Sequence, residues 1–167
     1  MKLQRRQLVR MLAGSLGSGF LLNRSPAGLA AVTSSEKAGV AMEKVTGIGG
    51  LFFRAKDPDG LAKWYEQHLG IAPSPTSYGG PVWTQEAGET VLCPFPETTK
   101  YFGDATKMWM VNFRVRSLDK MVAQLQAAGI AVKVDPETYP NGRFARVHDP
   151  EGNPIELWEP AVPKAGH

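Results

Sequence analysis

With 167 residues, 43% of them hydrophobic and 21% charged, the chain has room for one ordinary domain with its own core. Of its 19 basic residues, Lys2, Arg5, Arg6, Arg10 and Arg24 stand in an acid-free stretch over 1–31, leaving 14 against 16 acidic residues in the body. The formal charge of +3 therefore belongs to the N-terminal stretch, and the body gives no electrostatic ground for binding nucleic acid. A lone Cys93 excludes an intrachain disulfide and any paired-cysteine metal motif, and no apolar run after residue 30 is long enough to span a bilayer.

The first segment reads as an export signal over 1–31. Arg5-Arg6-Gln7-Leu8-Val9-Arg10 resembles the twin-arginine motif, and Met11 to Leu22 is a moderately apolar stretch diluted by glycine and serine. Gly28 and Ala30 offer small residues for cleavage, and a polar linker over 32–43 follows. The expected location is periplasmic or secreted, with no membrane anchor after processing. A start at Met42, directly before the first core strand, is the alternative and implies a cytoplasmic protein.

The body, 44–161, contains a duplicated unit. Phe53-Arg54-Ala55-Lys56-Asp57-Pro58-Asp59 returns 60 residues later as Phe113-Arg114-Val115-Arg116-Ser117-Leu118-Asp119, and each copy leads through a helical pattern to Gly-Ile-Ala, at Gly70 and at Gly129. An alternating strand is expected over Ile48 to Ala55. The first helix then starts at the Asp57 cap with Pro58 in its first turn, buries Leu61, Trp64, Tyr65 and Leu69, and stops at Gly70. In the second unit the strand runs from Met108 to Val115. Its helix starts at the Ser117 cap, presents Leu118, Met121, Val122, Leu125 and Ala128, and stops at Gly129. Short strand candidates separated by glycine and proline follow each helix, giving βαβββ twice, over about 45–96 and 107–160, with a tail at 162–167.

His148-Asp149-Pro150-Glu151-Gly152-Asn153 sets a tight turn before the last strand, with Pro150 fixing φ and Gly152 accepting a positive one. The strand FRxxD, the helix ending in Leu69-Gly70, and DPEGNPIEL together resemble the vicinal oxygen chelate superfamily, which includes glyoxalase I, extradiol dioxygenases and bleomycin-resistance proteins. The resemblance spans about 45–160. It implies an α+β fold in which two βαβββ modules form a cup-shaped curved sheet, and it implies a homodimer. It does not fix a reaction, because the superfamily hosts several chemistries and pure binders.

Strand alternation assigns Phe52 and Arg54, Asn112 and Arg114, and Glu156 and Trp158 to the cup. Metal-dependent relatives draw ligands from positions that fall here on Gly50, Leu92, Met110 and Glu156. Only Glu156 suits a hard divalent cation, so no metal and no cofactor is expected. His148 beside Glu156 would give two ligands and a weak, open site. Glu156 is the candidate catalytic group, as a general base in an apolar setting, or else a carboxylate paired with Arg114 or Arg54. Arg54 and Arg114 could clamp an anionic ligand, Asn112 could orient a ligand carbonyl, and Phe52, Trp83 and Trp158 could wall a flat molecule. Cys93 aligns with Leu157 on the packing side and reads as an inert thiol. Residues 139–144 read as a hairpin or lid loop.

The expected function is a glyoxalase/bleomycin-resistance-like protein that binds a small organic molecule in the cup. The alternative is a metal-dependent lyase or extradiol-type dioxygenase with rearranged ligands. A purely structural protein would have an occluded cup. Cell fractionation tests the leader: the wild-type gene should yield a shortened periplasmic protein, and replacing Arg5 and Arg6 by Lys should retain it in the cytoplasm. Full-length cytoplasmic protein from the wild-type gene would contradict the export reading.

Overall fold

The structure is a computed structural model that describes residues 43–162. The expected leader, the linker apart from residue 43, and all but the first residue of the tail lie outside the described residues. Helix α1 (Pro58–Leu69) begins where Asp57 Oδ1 accepts the Gly60 N–H at 3.0 Å, and ends at Gly70, whose φ of 68° places it in the left-handed region. Strand β1 (Val111–Arg114), helix α2 (Leu118–Ala127), and strands β2 (Lys133–Val134), β3 (Gly142–His148) and β4 (Pro154–Pro160) complete a βαβββ unit.

The four strands form one sheet in the order β1-β4-β3-β2. β1 runs parallel to β4, and the other pairs are antiparallel. A parallel pair cannot be closed by a tight turn, so α2, β2 and β3 supply the crossover that lets the last strand return beside the first. β4 is thereby bonded on both edges. The α+β fold class and its curved, cup-forming sheet are as the duplicated pattern predicts, and the second unit has the expected element order.

The first unit differs in detail. Its helix forms, but among the described residues neither Ile48 to Ala55 nor the segment 71–96 enters a strand ladder. Glycines at 47, 49 and 50 deprive this stretch of side chains that could hold a pleat, and Phe52 is 91% exposed. Phe53 nonetheless meets Trp109, ring centroids 4.9 Å apart, and Ala55 reaches the core.

One face of the sheet carries Ala145, Val147, Ile155 and Leu157, and these pack with Leu118 and Leu125 of α2 and Leu61 and Tyr65 of α1. Both helices thus seal the same face. Trp64, expected in the centre, is half-buried at the margin, because Leu61 and Tyr65, one turn apart, already point at the sheet. Ala128 is exposed, since α2 ends one residue before it. The N-terminus of α2 is held by Glu159, whose Oε2 accepts the Leu118 N–H at 2.5 Å, a carboxylate placed where the helix dipole favours it.

Asp149 ties the turn before β4 to α1. Its Oδ1 accepts the N–H groups of Glu151 (2.9 Å) and Asn153 (2.8 Å), and its Oδ2 accepts Asn153 Nδ2 (2.8 Å) and the Tyr65 hydroxyl (3.0 Å). Burial, reinforced by the Asp149 charge and hydrogen bond, pushes the Tyr65 hydroxyl above its ordinary value and keeps it a donor. Glu151 Oε1 accepts the N–H groups of Lys56 and Asp57 at 2.8 and 2.9 Å, just before α1. Lys107 Nζ donates to Glu151 O and Asn153 Oδ1, both at 3.1 Å. The DPEGN turn is therefore a clasp between the two units.

Two outcomes follow for stability. Leu125 is fully buried, so Leu125→Ala should cost roughly 2 to 5 kcal/mol in denaturant unfolding, and a loss below about 0.5 would misplace α2. The Glu151 carboxyl is held below the usual carboxylate range by the Asp57 and Lys56 N–H groups. Its contribution is complete above the unfolded value of about 4.3 and is lost as pH falls through the lowered folded value. Glu151→Gln should therefore be less stable than wild type at pH 7, and the gap should close on acidification below about pH 4. A gap independent of pH would deny the clasp its charge.

Candidate functional site

The sheet face turned away from the helices carries the complementary set. Register places Asn112 of β1 opposite Glu156 of β4, and Glu156 opposite Arg146 of β3, which in turn faces Lys133 of β2. One step along, Arg114, Trp158 and Phe144 form a second row. Because side chains alternate along each strand, these residues share the cup face while Ile155, Leu157, Ala145 and Val147 face the helices.

Glu156 is 3% exposed in the middle of the first row. Its Oε2 accepts Asn112 Nδ2 at 2.9 Å, its Oε1 accepts the Tyr101 hydroxyl at 2.8 Å, and Arg146 Nη2 lies 3.5 Å from Oε1. A carboxylate taken out of water is tolerable only when donors surround it in this way. The arginine partner is Arg146, not Arg114 or Arg54.

Tyr101, 5% exposed, comes from the segment between the two units. Its ring stacks on Phe95, centroids 4.9 Å apart and planes 14° off parallel, and Phe102 meets Phe95 edge-on at 5.3 Å. The Arg146 guanidinium carbon lies 4.1 Å from the Tyr101 ring centroid, and Arg146 Nη1 donates to the Tyr101 carbonyl. This aromatic segment covers Glu156 and Arg146, while Asn112 and Lys133 at the two ends of the row are exposed. Arg146 Nε and Nη2 are buried without a hydrogen-bond partner, as is Asn141 Oδ1.

In the second row Trp158 and Phe144, 6% and 4% exposed, lie with ring planes 4° apart and centroids at 6.2 Å. Trp158 Nε1 donates to Asn141 O at 2.7 Å, within the turn closed by paired hydrogen bonds between Tyr139 and Gly142. Gly142 adopts φ 129°, and a Cβ there would stand 2.0 Å from Glu159 O, so the turn requires glycine. Residues 139–142 are thus a tight turn into β3 that anchors the indole.

The remaining expected residues lie elsewhere. Arg114 donates to the carbonyls of Glu86 (2.7 Å) and Ala87 (3.2 Å), fixing that loop against the sheet edge. Arg54 is exposed, and Phe52 is also in solvent. Trp83 meets Phe113 edge-on at 6.1 Å, and Phe113 faces the helices, so Trp83 belongs to the margin of the core. Cys93 is half-buried. A surface depression of about 320 Å³ lies along α1 beside Pro150 and Glu151, lined by Lys63, Trp64 and Gln67 among others, away from the cup face.

The positions that the fold family uses for a metal do not fit one here. Gly50 and Leu92 are exposed and offer no side-chain donor, Met110 offers only a thioether, and both Glu156 oxygens already accept hydrogen bonds. Among the described residues no three His, Cys, Asp or Glu side chains converge on one point.

Of the residues forming the row, Asn112 and Glu156 were legible from alternation alone. Arg146 was not, although extending the strand pattern through Gly142 to His148 puts it on the face of Phe144. Tyr101 gave only the signal of three aromatic residues, Phe95 at the end of the first unit and Tyr101 and Phe102 just after it.

The model of the glyoxalase/bleomycin resistance protein/dioxygenase superfamily matches residues 47–157. No curated protein matches the chain. Among solved structures, a glyoxalase/bleomycin resistance protein from Streptomyces sp. CB03234 is 39% identical over 29% of this chain and 42% of that one, with a TM-score of 0.27. The chain thus spans less than half the length of that protein. TnmS3, an antibiotic binding protein from the same Streptomyces, is 25% identical over 63% and 88% of the two chains, TM-score 0.41. A glyoxylase/bleomycin resistance protein/dioxygenase domain from Frankia sp. EAN1pec is 20% identical over 71% and 100%, TM-score 0.47. With a family match that extends over about two thirds of its length, the chain belongs to the glyoxalase/bleomycin resistance protein/dioxygenase superfamily.

Proposed function

We propose that this protein binds a small organic molecule, one carrying an anionic group, on the cup face of its second unit, without a divalent metal. The observation that carries this reading is the row Asn112–Glu156–Arg146, aligned across three strands and set beside the aromatic side chains of Phe144, Trp158, Tyr101 and Phe95. A few converging polar groups among aromatic surfaces are what orients an organic ligand. Glu156 acts there through charge and hydrogen bonding, holding Asn112 and Arg146 in place, in preference to the general-base role. Against a metal-dependent lyase or dioxygenase stands the chemistry of Gly50, Leu92 and Met110, none of which offers a side-chain oxygen or nitrogen donor.

Export by the twin-arginine route and assembly as a homodimer belong to the same proposal. Ile48, Leu51, Phe52, Leu92 and Met108 are between 51% and 91% exposed, apolar side chains that a second copy could cover.

Gentle purification followed by native mass spectrometry and elemental analysis tests the reading. The expected result is a retained or saturably bound small molecule that perturbs Trp158 fluorescence, well under one metal per chain, and thermal stability indifferent to a chelator. Stoichiometric Zn, Fe, Mn or Ni, lost on chelation together with an activity, would replace it by the metal-dependent alternative.

A further inference from the structure

The Arg146 guanidinium is bonded on one side only. Nη1 donates to the Tyr101 carbonyl, whereas Nε and Nη2, which form one edge of the planar group, lack any hydrogen-bond acceptor although both are buried. Glu156 Oε1 stands 3.5 Å from Nη2, near enough to balance charge but not to accept a short bond, and it is already engaged by Tyr101. A buried, charged donor edge without an acceptor is costly, and two parallel N–H groups in one plane match the two oxygens of a carboxylate.

Tyr101, on an irregular segment, packs against this guanidinium. Tyr101 sits on Arg146 by its ring and on Glu156 by its hydroxyl. The segment that carries it has no helix or strand from residue 94 to 110, and Gly103 has φ 86°. Such a segment can lift without breaking a ladder. Lys133, paired with Arg146 in register and exposed, adds a positive charge at the mouth; Glu156 is the opposing charge, and its two oxygens are met by Asn112 and Tyr101.

We propose that Arg146 is the ligand-anchoring residue of the cup. Its Nε–Nη2 edge takes the carboxylate of a planar aromatic acid, and Tyr101 is the gate that occupies the site until the acid displaces it. This rests on the cup-binding reading above and names its ligand class. The closed conformation lowers apparent affinity by the fraction of time the gate is open, so weakening the gate should strengthen binding.

The test uses the purified full chain and two probes of one shape, 1-naphthoate and its neutral amide 1-naphthamide, titrated by calorimetry. Wild type should prefer the acid by at least about tenfold. Arg146→Gln should abolish that preference, and Arg146→Lys, which keeps the charge but loses the fork, should restore only part of it. Tyr101→Phe, which keeps the ring and removes the bond to Glu156, should bind naphthoate about three- to tenfold more tightly than wild type. Equal affinity for acid and amide in wild type would overturn the anchor while leaving cup binding standing. An acid preference that persists in folded Arg146→Gln would do the same. Tighter binding absent in Tyr101→Phe would overturn the gate, and failure of both probes in wild type and Tyr101→Phe alike would overturn both the anchor and the cup-binding reading.

Discussion

A carboxylate removed from water must be met by donors, and the arrangement of this domain follows from meeting that demand twice along one short stretch of chain. Asp149, in the turn before β4, accepts four hydrogen bonds, three from its own turn and one from Tyr65 on a helix 84 residues away. Glu156, at the centre of β4, draws in Asn112 from β1, Arg146 from β3 and Tyr101 from the connecting segment. Removing one donor from such a group leaves a buried oxygen short of a bond, at a cost of about 1 to 3 kcal/mol. Each acid therefore specifies which segments must lie against β4. Apolar packing of Leu118, Leu125, Ile155 and Leu157 supplies the attraction, and the two acids give it an address.

The parts of the fold that depend on local chemistry were legible in the sequence. Asp57 and Ser117 cap their helices, and the apolar faces identify Leu61, Tyr65, Leu118 and Leu125 as core. Period-two alternation places Glu156 and Trp158 opposite Ile155 and Leu157. What depends on cross-strand register was not legible: Arg146 reaches Glu156 because the 149–153 turn joins β3 to β4 with His148 opposite Pro154, and a shift of one residue would send it to the other face. Tyr101 sits in a segment with no period at all. The duplicated motif also overstates symmetry, since Arg54 and Arg114 occupy equivalent positions yet Arg54 is in solvent and Arg114 holds the Glu86–Ala87 carbonyls.

That asymmetry separates this chain from a metal-binding plan for the same fold. Where a hard cation would gather donors from both units, one unit contributes Gly50 and Leu92, and the other contributes Met110 and Glu156, whose oxygens are engaged in an internal network. The polar centre of the cup is organised by hydrogen bonds between side chains, with Arg146 beside Glu156.

The covered cup depends on the bond between Tyr101 and Glu156, and a double-mutant cycle measures it. Unfolding free energies of wild type, Tyr101→Phe, Glu156→Gln and the double variant, taken at one pH in the same denaturant, give the coupling between the two side chains. A charge-assisted bond in a buried site should yield about 1 to 3 kcal/mol of coupling. Additive effects within about 0.3 kcal/mol would mean that Tyr101 does not close over Glu156, and the covered cup would have to be abandoned.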